Sequence, residues 1–368
     1  MNRNLISIFL PSLAGGGAER MMLNLAGRFV KRGKTVDLVL ARATGPYLAN
    51  VPEGVGILDL GAHRVLTALP GLARYLSRRG PAALLAAMDH ANLVAIWAKR
   101  LARVDTPVFV SVRNTLSVEA RRGVRLRDKA LPALARRFYP RAAGVIAVSR
   151  GVAEDLESHV GLEAGSVKVI YNPVVTPELA DLAEQPLDHP WLATGASPLL
   201  LAAGRLTQQK DFATLIDAFA ALRSRRPARL LILGEGPERT RLEEKIRDAG
   251  LHGEVRLEGF VDNPFAYMRR ADLFVLSSAW EGLPGVLIQA MACGTPVVST
   301  DCPSGPREIL LDGKLGALVP VGDSKALAVA MLDTLDAPAS PEALRRRAAD
   351  FSLAEIASEY LQLLDSGR

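Results

Sequence analysis

Residues 278–298, SAWEGLPGVLIQAMACGTPVV, read as loop, helix, tight turn and buried strand. Gly282 and Pro284 interrupt the apolar run before them, and proline suits a first helical turn because the N–H it lacks has no helical partner there. Val286, Leu287, Ala290 and Met291 recur at helical spacing, and Gly294-Thr295-Pro296 closes the helix before Val297 and Val298 begin a strand. A helix so placed presents unpaired N–H groups and its positive dipole end just behind Glu281, which suits an anion. On the residues alone two readings stand: an anion-binding helix start, or an ordinary helix joining two buried strands.

The same alternation runs through the chain. Residues 5–10 and 34–40 are β-rich runs around a helical stretch at 18–32, where Met21, Met22, Leu25 and Phe29 share a face and Gly33 ends it. That is a βαβ unit, whose right-handed crossover implies a parallel sheet. Further strands are predicted at 55–60, 83–87, 107–112, 143–148 and 167–170, between helices near 65–79, 91–103, 126–140 and 150–158. Residues 172–198 hold five prolines and little periodicity and read as an interdomain connection. A second series begins at 198–203, with strands near 228–233, 254–258, 271–277, 295–299 and 316–319. Runs this continuously apolar are buried on both faces, as in doubly wound sheets. A chain of 368 residues exceeds what one core serves. The expectation is α/β: two Rossmann-like doubly wound domains facing a central cleft, at 1–175 and 198–340, with a linker at 176–197 and C-terminal helices at 341–368.

Composition narrows the function classes. At 49% hydrophobic and 23% charged the chain is not disordered. A net charge of +6 favours anionic ligands or an anionic surface without specifying either. Cys293 and Cys302 lack metal-ligand spacing and fit a reducing compartment. Arg3 followed by the apolar run 5–10 superficially resembles a short signal peptide, but Glu19 and Arg20 follow at once and no apolar run reaches the roughly 18 residues of a membrane span. A cytoplasmic protein is expected. Aromatics make up only 5% of the chain and do not interleave with its basic stretch, which disfavours nucleic acid.

Several motifs could carry chemistry. No Asp-x-Asp pair or His/Cys cluster offers a metal site, so no metal or cofactor is expected. Fixed positive groups are the other way to neutralise a diphosphate. Gly204-Arg205-Leu206-Thr207-Gln208-Gln209-Lys210, after the first strand of the second series, supplies a forked guanidinium and a point charge, or simply two solvated cations. Gly15-Gly16-Gly17 lies at the end of the first strand and opens a helix, where α/β sheets place ligands. Phe260 and Val261 follow another strand, and Phe260 reads equally as a core residue. Arg113 and Asn114 end a strand and His90 sits in a turn; they face the cleft, or are a surface cation and a helix-start residue. The segment 121–141, RRGVRLRDKALPALARRFYPR, holds eight Arg/Lys and one acid, with Leu126, Ala130, Leu134 and Phe138 on one helical face. Either it lies on a membrane surface, or its apolar face packs inward and its arginines are solvated.

Residues 281–310, EGLPGVLIQAMACGTPVVSTDCPSGPREIL, resemble the donor-sugar-nucleotide motif of the retaining group 1 glycosyltransferases, which have the GT-B fold. That motif carries a glutamate, seven residues and a second glutamate; here the first is Glu281 and the second position holds Gln289. The resemblance implies metal-independent, retaining transfer of a hexose or N-acetylhexosamine from a UDP-sugar to a lipid-linked or lipopolysaccharide glycan. It implies that Arg205 and Lys210 grip the diphosphate and that Glu281 orients the sugar. Gly282, Leu283 and Pro284 then line the donor, Gln289 meets the ribose, and Phe260 and Val261 hold the base. Gly16 and Gly17 close on the donor phosphates or the acceptor. It further implies that the C-terminal tail returns to the first domain, and that the basic helix sits peripherally on the inner membrane leaflet. Two rivals remain: a non-catalytic or weakly active binding subunit, motivated by Gln289, and a UDP-sugar epimerase on the same scaffold.

Overall fold

The structure, a computed structural model, describes residues 2–122, 126–192 and 197–367. It divides into two units, one of residues 1–173 with 353–368 and the other of residues 174–352. The first holds β1 (Asn2–Leu10), β2 (Thr35–Leu40), β3 (Val55–Asp59), β4 (Pro81–Ala87), β5 (Val108–Val112), β6 (Gly144–Ala147) and β7 (Val167–Val169). They pair in parallel in the order β3-β2-β1-β4-β5-β6-β7. The second holds β8 (Leu199–Ala203), β9 (Arg229–Leu233), β10 (Val255–Gly259), β11 (Leu273–Leu276), β12 (Val297–Thr300) and β13 (Ala317–Val319). Their order is β10-β9-β8-β11-β12-β13, again all parallel.

Both sheets are therefore Rossmann-like. Every residue of β4, PAALLAA, is buried, because helices cover both faces and leave no side for polar residues. In the second unit Leu201 pairs with Leu231 on one side and Phe274 on the other. Strand order reverses between β1 and β4 and between β8 and β11. A crevice opens outside the carboxyl ends of the strands at such a point.

The division falls elsewhere than the prolines suggested. Residues 176–197 were expected as a linker, but 174 onward belongs to the second unit and includes a helix, Leu179–Glu184. Asn263 Nδ2 donates to Leu182 O at 2.7 Å, and Arg270 donates to Ala183 O and Gln185 O. The prolines break periodicity without freeing the chain. The tail also divides. Helix Pro341–Ala349 stays with the second unit, Arg347 donating to Ile309 O and Glu308 O and Arg345 to Cys293 O. Only Leu353–Ser366 joins the first, burying Ile356, Ala357, Tyr360, Leu361 and Leu364, a stripe at helical spacing, with Lys34 paired to Asp365 at 3.0 Å.

The basic segment differs in phase from its expected pattern. Residues 123–125 lie outside the described residues, and two helices flank them, Leu116–Arg122 and Leu126–Phe138. Leu131, Ala135 and Tyr139 form the buried stripe, Ala130 is exposed, and Phe138 packs edge-on against Trp97. Arg121, Arg122, Lys129, Arg136, Arg137 and Arg141 are exposed. The apolar face is spent on the core, and the outward surface is cationic.

Candidate active site

In the second unit the loops after β8 and β11 are tied together. Ala279 N donates to Gln209 O at 2.8 Å, Gln209 Nε2 to Trp280 O at 3.0 Å, and Ser277 Oγ to Lys210 O at 2.8 Å. These bonds bring Lys210 to Glu281: Nζ lies 2.5 Å from Oε1, with the carboxylate only 6% exposed. Oε1 also accepts from Ser278 Oγ at 2.7 Å, while Oε2 makes no hydrogen bond among the described residues. The Lys210 stem lies across Gly204, where a Cβ would stand 3.1 Å from Cε. Arg205 is exposed and makes no ion pair among the described residues, so its guanidinium is available. Cys302 is buried beside the pair. Burial, and then the charge of Glu281, push its thiol well above the usual range, so it is no nucleophile.

Gly282, Leu283 and Pro284 are buried and lead into helix Gly285–Cys293. Ser304 Oγ holds Gly282 O at 2.7 Å. Leu287, Ile288, Ala290 and Met291 are buried, while Gly285, Val286 and Gln289 form the half-buried side. Gln289 makes no side-chain hydrogen bond among the described residues. Phe260 is 67% exposed, which removes the core reading, and Val261 is half-buried beside it. An exposed phenyl costs apolar hydration that a stacking ligand would recover.

In the first unit Gly16 is the N-cap of helix Gly17–Lys31. A Cβ on Gly16 would stand 2.5 Å from Glu19 Oε2, whereas one on Gly17 would meet nothing within 4 Å. Glu19 thus folds back over the loop like the acid of a capping box, and the space above Gly17 is open. Burial raises the Glu19 carboxyl; hydrogen bonds from the backbone of Glu19 and Gly16 and the charge of Arg113 act against that rise. Arg113 is no surface cation. Burial lowers its guanidinium below the usual arginine range, NH1 donates to Asn172 Oδ1, and Nε and NH2 are buried without a hydrogen bond. Asn114 turns away, donating to Glu119 Oε1 at 2.6 Å. His90 opens another helix half-exposed, with Nε2 3.9 Å from Asp128 Oδ1. Arg113 therefore joins the glycine loop through Glu19, while Asn114 and His90 stay around one acidic cluster, in which Asp89 feels the charge of Glu119 and Glu119 that of Asp128.

Residues 197–337 match the family model of glycosyl transferases group 1, and residues 15–177 that of glycosyltransferase family 4. The chain is 31% identical to the N-acetylgalactosamine-N,N'-diacetylbacillosaminyl-diphospho-undecaprenol 4-alpha-N-acetylgalactosaminyltransferase of Campylobacter jejuni, over 98% of this chain and 99% of that one. The chain belongs to the group 1 glycosyltransferases. It is also 28% identical to the lipopolysaccharide core biosynthesis glycosyltransferase LpsE of Rhizobium meliloti, over 95% of this chain and 96% of that one. Among solved structures, Anabaena Alr3699/HepE in complex with UDP and glucose superposes with a TM-score of 0.81 at 22% identity, covering 98% of this chain and 99% of that one. The shared fold is GT-B.

Some parts of this glycosyltransferase's site were not singled out from its sequence. Ser277 and Ser278 directly follow the apolar strand β11, which is a visible signal, since buried hydroxyls need partners. Gly234 and Gly236 follow β9 in the same way. A Cβ on Gly234 would stand 2.0 Å from Gly204 O, and Leu206 N donates to Glu235 O at 2.9 Å, so this loop sets the path of the Arg205 loop. Glu19 could have been found as the acid three residues after the N-cap.

Proposed function

We propose that this glycosyltransferase transfers a hexose or N-acetylhexosamine from a UDP-sugar, with retention and without a metal, to a glycan on a lipid carrier or lipopolysaccharide. The observation that carries the reading is the Lys210–Glu281 pair at the β8/β11 switch point, with Arg205 unpaired nearby. Arg205 and Lys210 supply positive charge where the leaving diphosphate develops its own, and the N–H groups at Gly285 add to it. Glu281 Oε2 accepts from the donor sugar's hydroxyls. The acceptor hydroxyl attacks on the face that the diphosphate leaves, and a leaving phosphate oxygen takes its proton. HepE, which shares the fold, holds UDP and glucose, and the Campylobacter relative is named for a diphospho-undecaprenol acceptor; both support this choice of partners. A thermal-shift panel of nucleotides and nucleotide sugars tests it, because a true donor stabilises by mass action. UDP and one UDP-sugar should raise Tm above GDP and ADP. Equal shifts would remove the uridine assignment.

Gln289 favours a second reading, a weakly active binding subunit. Its amide offers one carbonyl to accept from the ribose hydroxyls where a carboxylate would offer two oxygens. Exchanging charge-assisted for neutral bonds costs about 1–2 kcal/mol, roughly five- to thirtyfold in affinity. Gln289→Glu should therefore tighten UDP by that factor in calorimetry. Unchanged or poorer affinity would show that the ribose is held another way.

We further infer peripheral membrane binding through 121–141. No helix among the described residues is long and apolar enough to cross a membrane. With the apolar face packed inward, attraction must come from charge, so binding should be confined to anionic vesicles and fall as salt rises. Sedimentation with anionic and zwitterionic vesicles reads this directly, and no pelleting at low salt removes the inference.

A further inference from the structure

Two adjacent buried serines follow β11 directly, and their side chains reach different partners. Ser277 Oγ reaches Lys210 O, and Ser278 Oγ reaches Glu281 Oε1. Ser278 is fully buried, and its carbonyl accepts from Thr300 Oγ1 at 2.6 Å, so its backbone is pinned to β12 as well. Glu281 Oε1 thus has two holders of different kinds. Lys210 is a charge on a four-carbon stem, free to swing from Gly204 towards any stronger anion. Ser278 is short, buried and tied at its main chain, and cannot follow.

A donor's diphosphate carries more negative charge than one carboxylate and competes for Lys210. If Lys210 were the sole holder, donor binding would release Glu281 just when its free oxygen must meet the sugar. We propose that Ser278 is a positioning residue that keeps the Glu281 carboxylate in place when Lys210 turns to the diphosphate. The inference rests on the donor-site reading above. Ser278 touches neither nucleotide nor sugar. Its effect belongs to the state with donor bound, where the hydroxyl is the remaining donor to Oε1.

The test compares Ser278→Ala, Ser278→Cys and Ser278→Thr with the unaltered chain. UDP affinity is read by calorimetry and turnover as UDP release from whichever of UDP-glucose, UDP-galactose, UDP-N-acetylglucosamine or UDP-N-acetylgalactosamine is used fastest. Ser278→Ala should bind UDP as the unaltered protein does, because Lys210 is untouched, while kcat falls about 10- to 100-fold, the range for losing a hydrogen bond to a charged group. Ser278→Cys, which keeps the volume but donates weakly, should fall between and covers the case of an alanine variant that does not fold. Ser278→Thr, which keeps the hydroxyl, should restore kcat. Full kcat in the alanine and cysteine variants, with Arg205→Ala still losing UDP affinity, overturns the role of Ser278 alone. No UDP binding by the unaltered protein overturns the donor-site reading and this inference with it.

Discussion

The Arg205→Ala, Lys210→Ala double variant is expected to release UDP from its UDP-sugar about 10⁴- to 10⁶-fold more slowly, because two positive groups aimed at one developing charge are each worth about 10²- to 10³-fold. The two residues should separate in their side effects. Arg205 is exposed and makes no ion pair among the described residues, so Arg205→Ala should lose activity and leave Tm unchanged. Lys210 neutralises a carboxylate only 6% exposed, so its loss strands a buried charge, at a cost of about 3–5 kcal/mol. Adding Glu281→Gln to Lys210→Met should recover most of that stability, since no charge is then left unpaired, without recovering turnover. A steady-state assay with urea unfolding of the same preparations distinguishes the effects. Turnover within tenfold of normal in the double variant would show that the diphosphate is neutralised elsewhere.

This separation illustrates what the sequence could and could not disclose. Arg205 and Lys210 were legible because cations directly after a buried parallel strand have few purposes, and Glu281 because it precedes a helix opened by Gly282 and Pro284. The Lys210–Glu281 pairing was not legible: it joins residues 71 apart through main-chain bonds between two loops, which no local pattern encodes. For Arg113 the sequence left a cleft residue and a surface cation open, and only the packing of the C-terminal helix and Asn172 around it removes the surface cation. The inner strands were easy to read because both their faces are covered and the runs are apolar throughout, as in β4, β5, β8 and β11; the edge strands β3 and β10 keep exposed residues. The helix at 179–184 was obscured by five prolines nearby, since proline marks a break in periodicity and says nothing of whether the broken chain is docked. The stripe of the basic helix was placed one residue out of phase because Leu and Ala occur on several of its faces, and the burial of Leu131, Ala135 and Tyr139 shows which of them packs.

The unfolding free energy should fall between pH 4 and pH 8 through Asp89, and Asp89→Asn should remove most of that fall. Asp89 opens helix Asp89–Ala102, a place where an ionised acid is usually favoured. Here burial wins: with the charge of Glu119 adding to it, it pushes the carboxyl up to about 8, and the hydrogen bond from the residue's own N–H offsets only part. Oδ1 is buried without a hydrogen bond. An unfolded aspartate titrates near 3.8. The folded state therefore holds the proton more tightly, so this group's contribution is complete below pH 3.8 and is lost as pH rises towards about 8. A displacement of about four pH units corresponds to about 5–6 kcal/mol, an upper bound because local opening relieves part of it. Asparagine has the shape of the protonated acid and cannot ionise, so the variant should match the unaltered protein at pH 4 and exceed it by several kcal/mol at pH 8. Glu119, also raised by burial, has the same sign and persists in the variant, so the slope should shrink without vanishing. Urea midpoints across this range measure the difference. Parallel curves would mean that Asp89 is ionised and partnered in the fold, and would place a negative charge beside His90 at neutral pH where the packing favours a neutral acid.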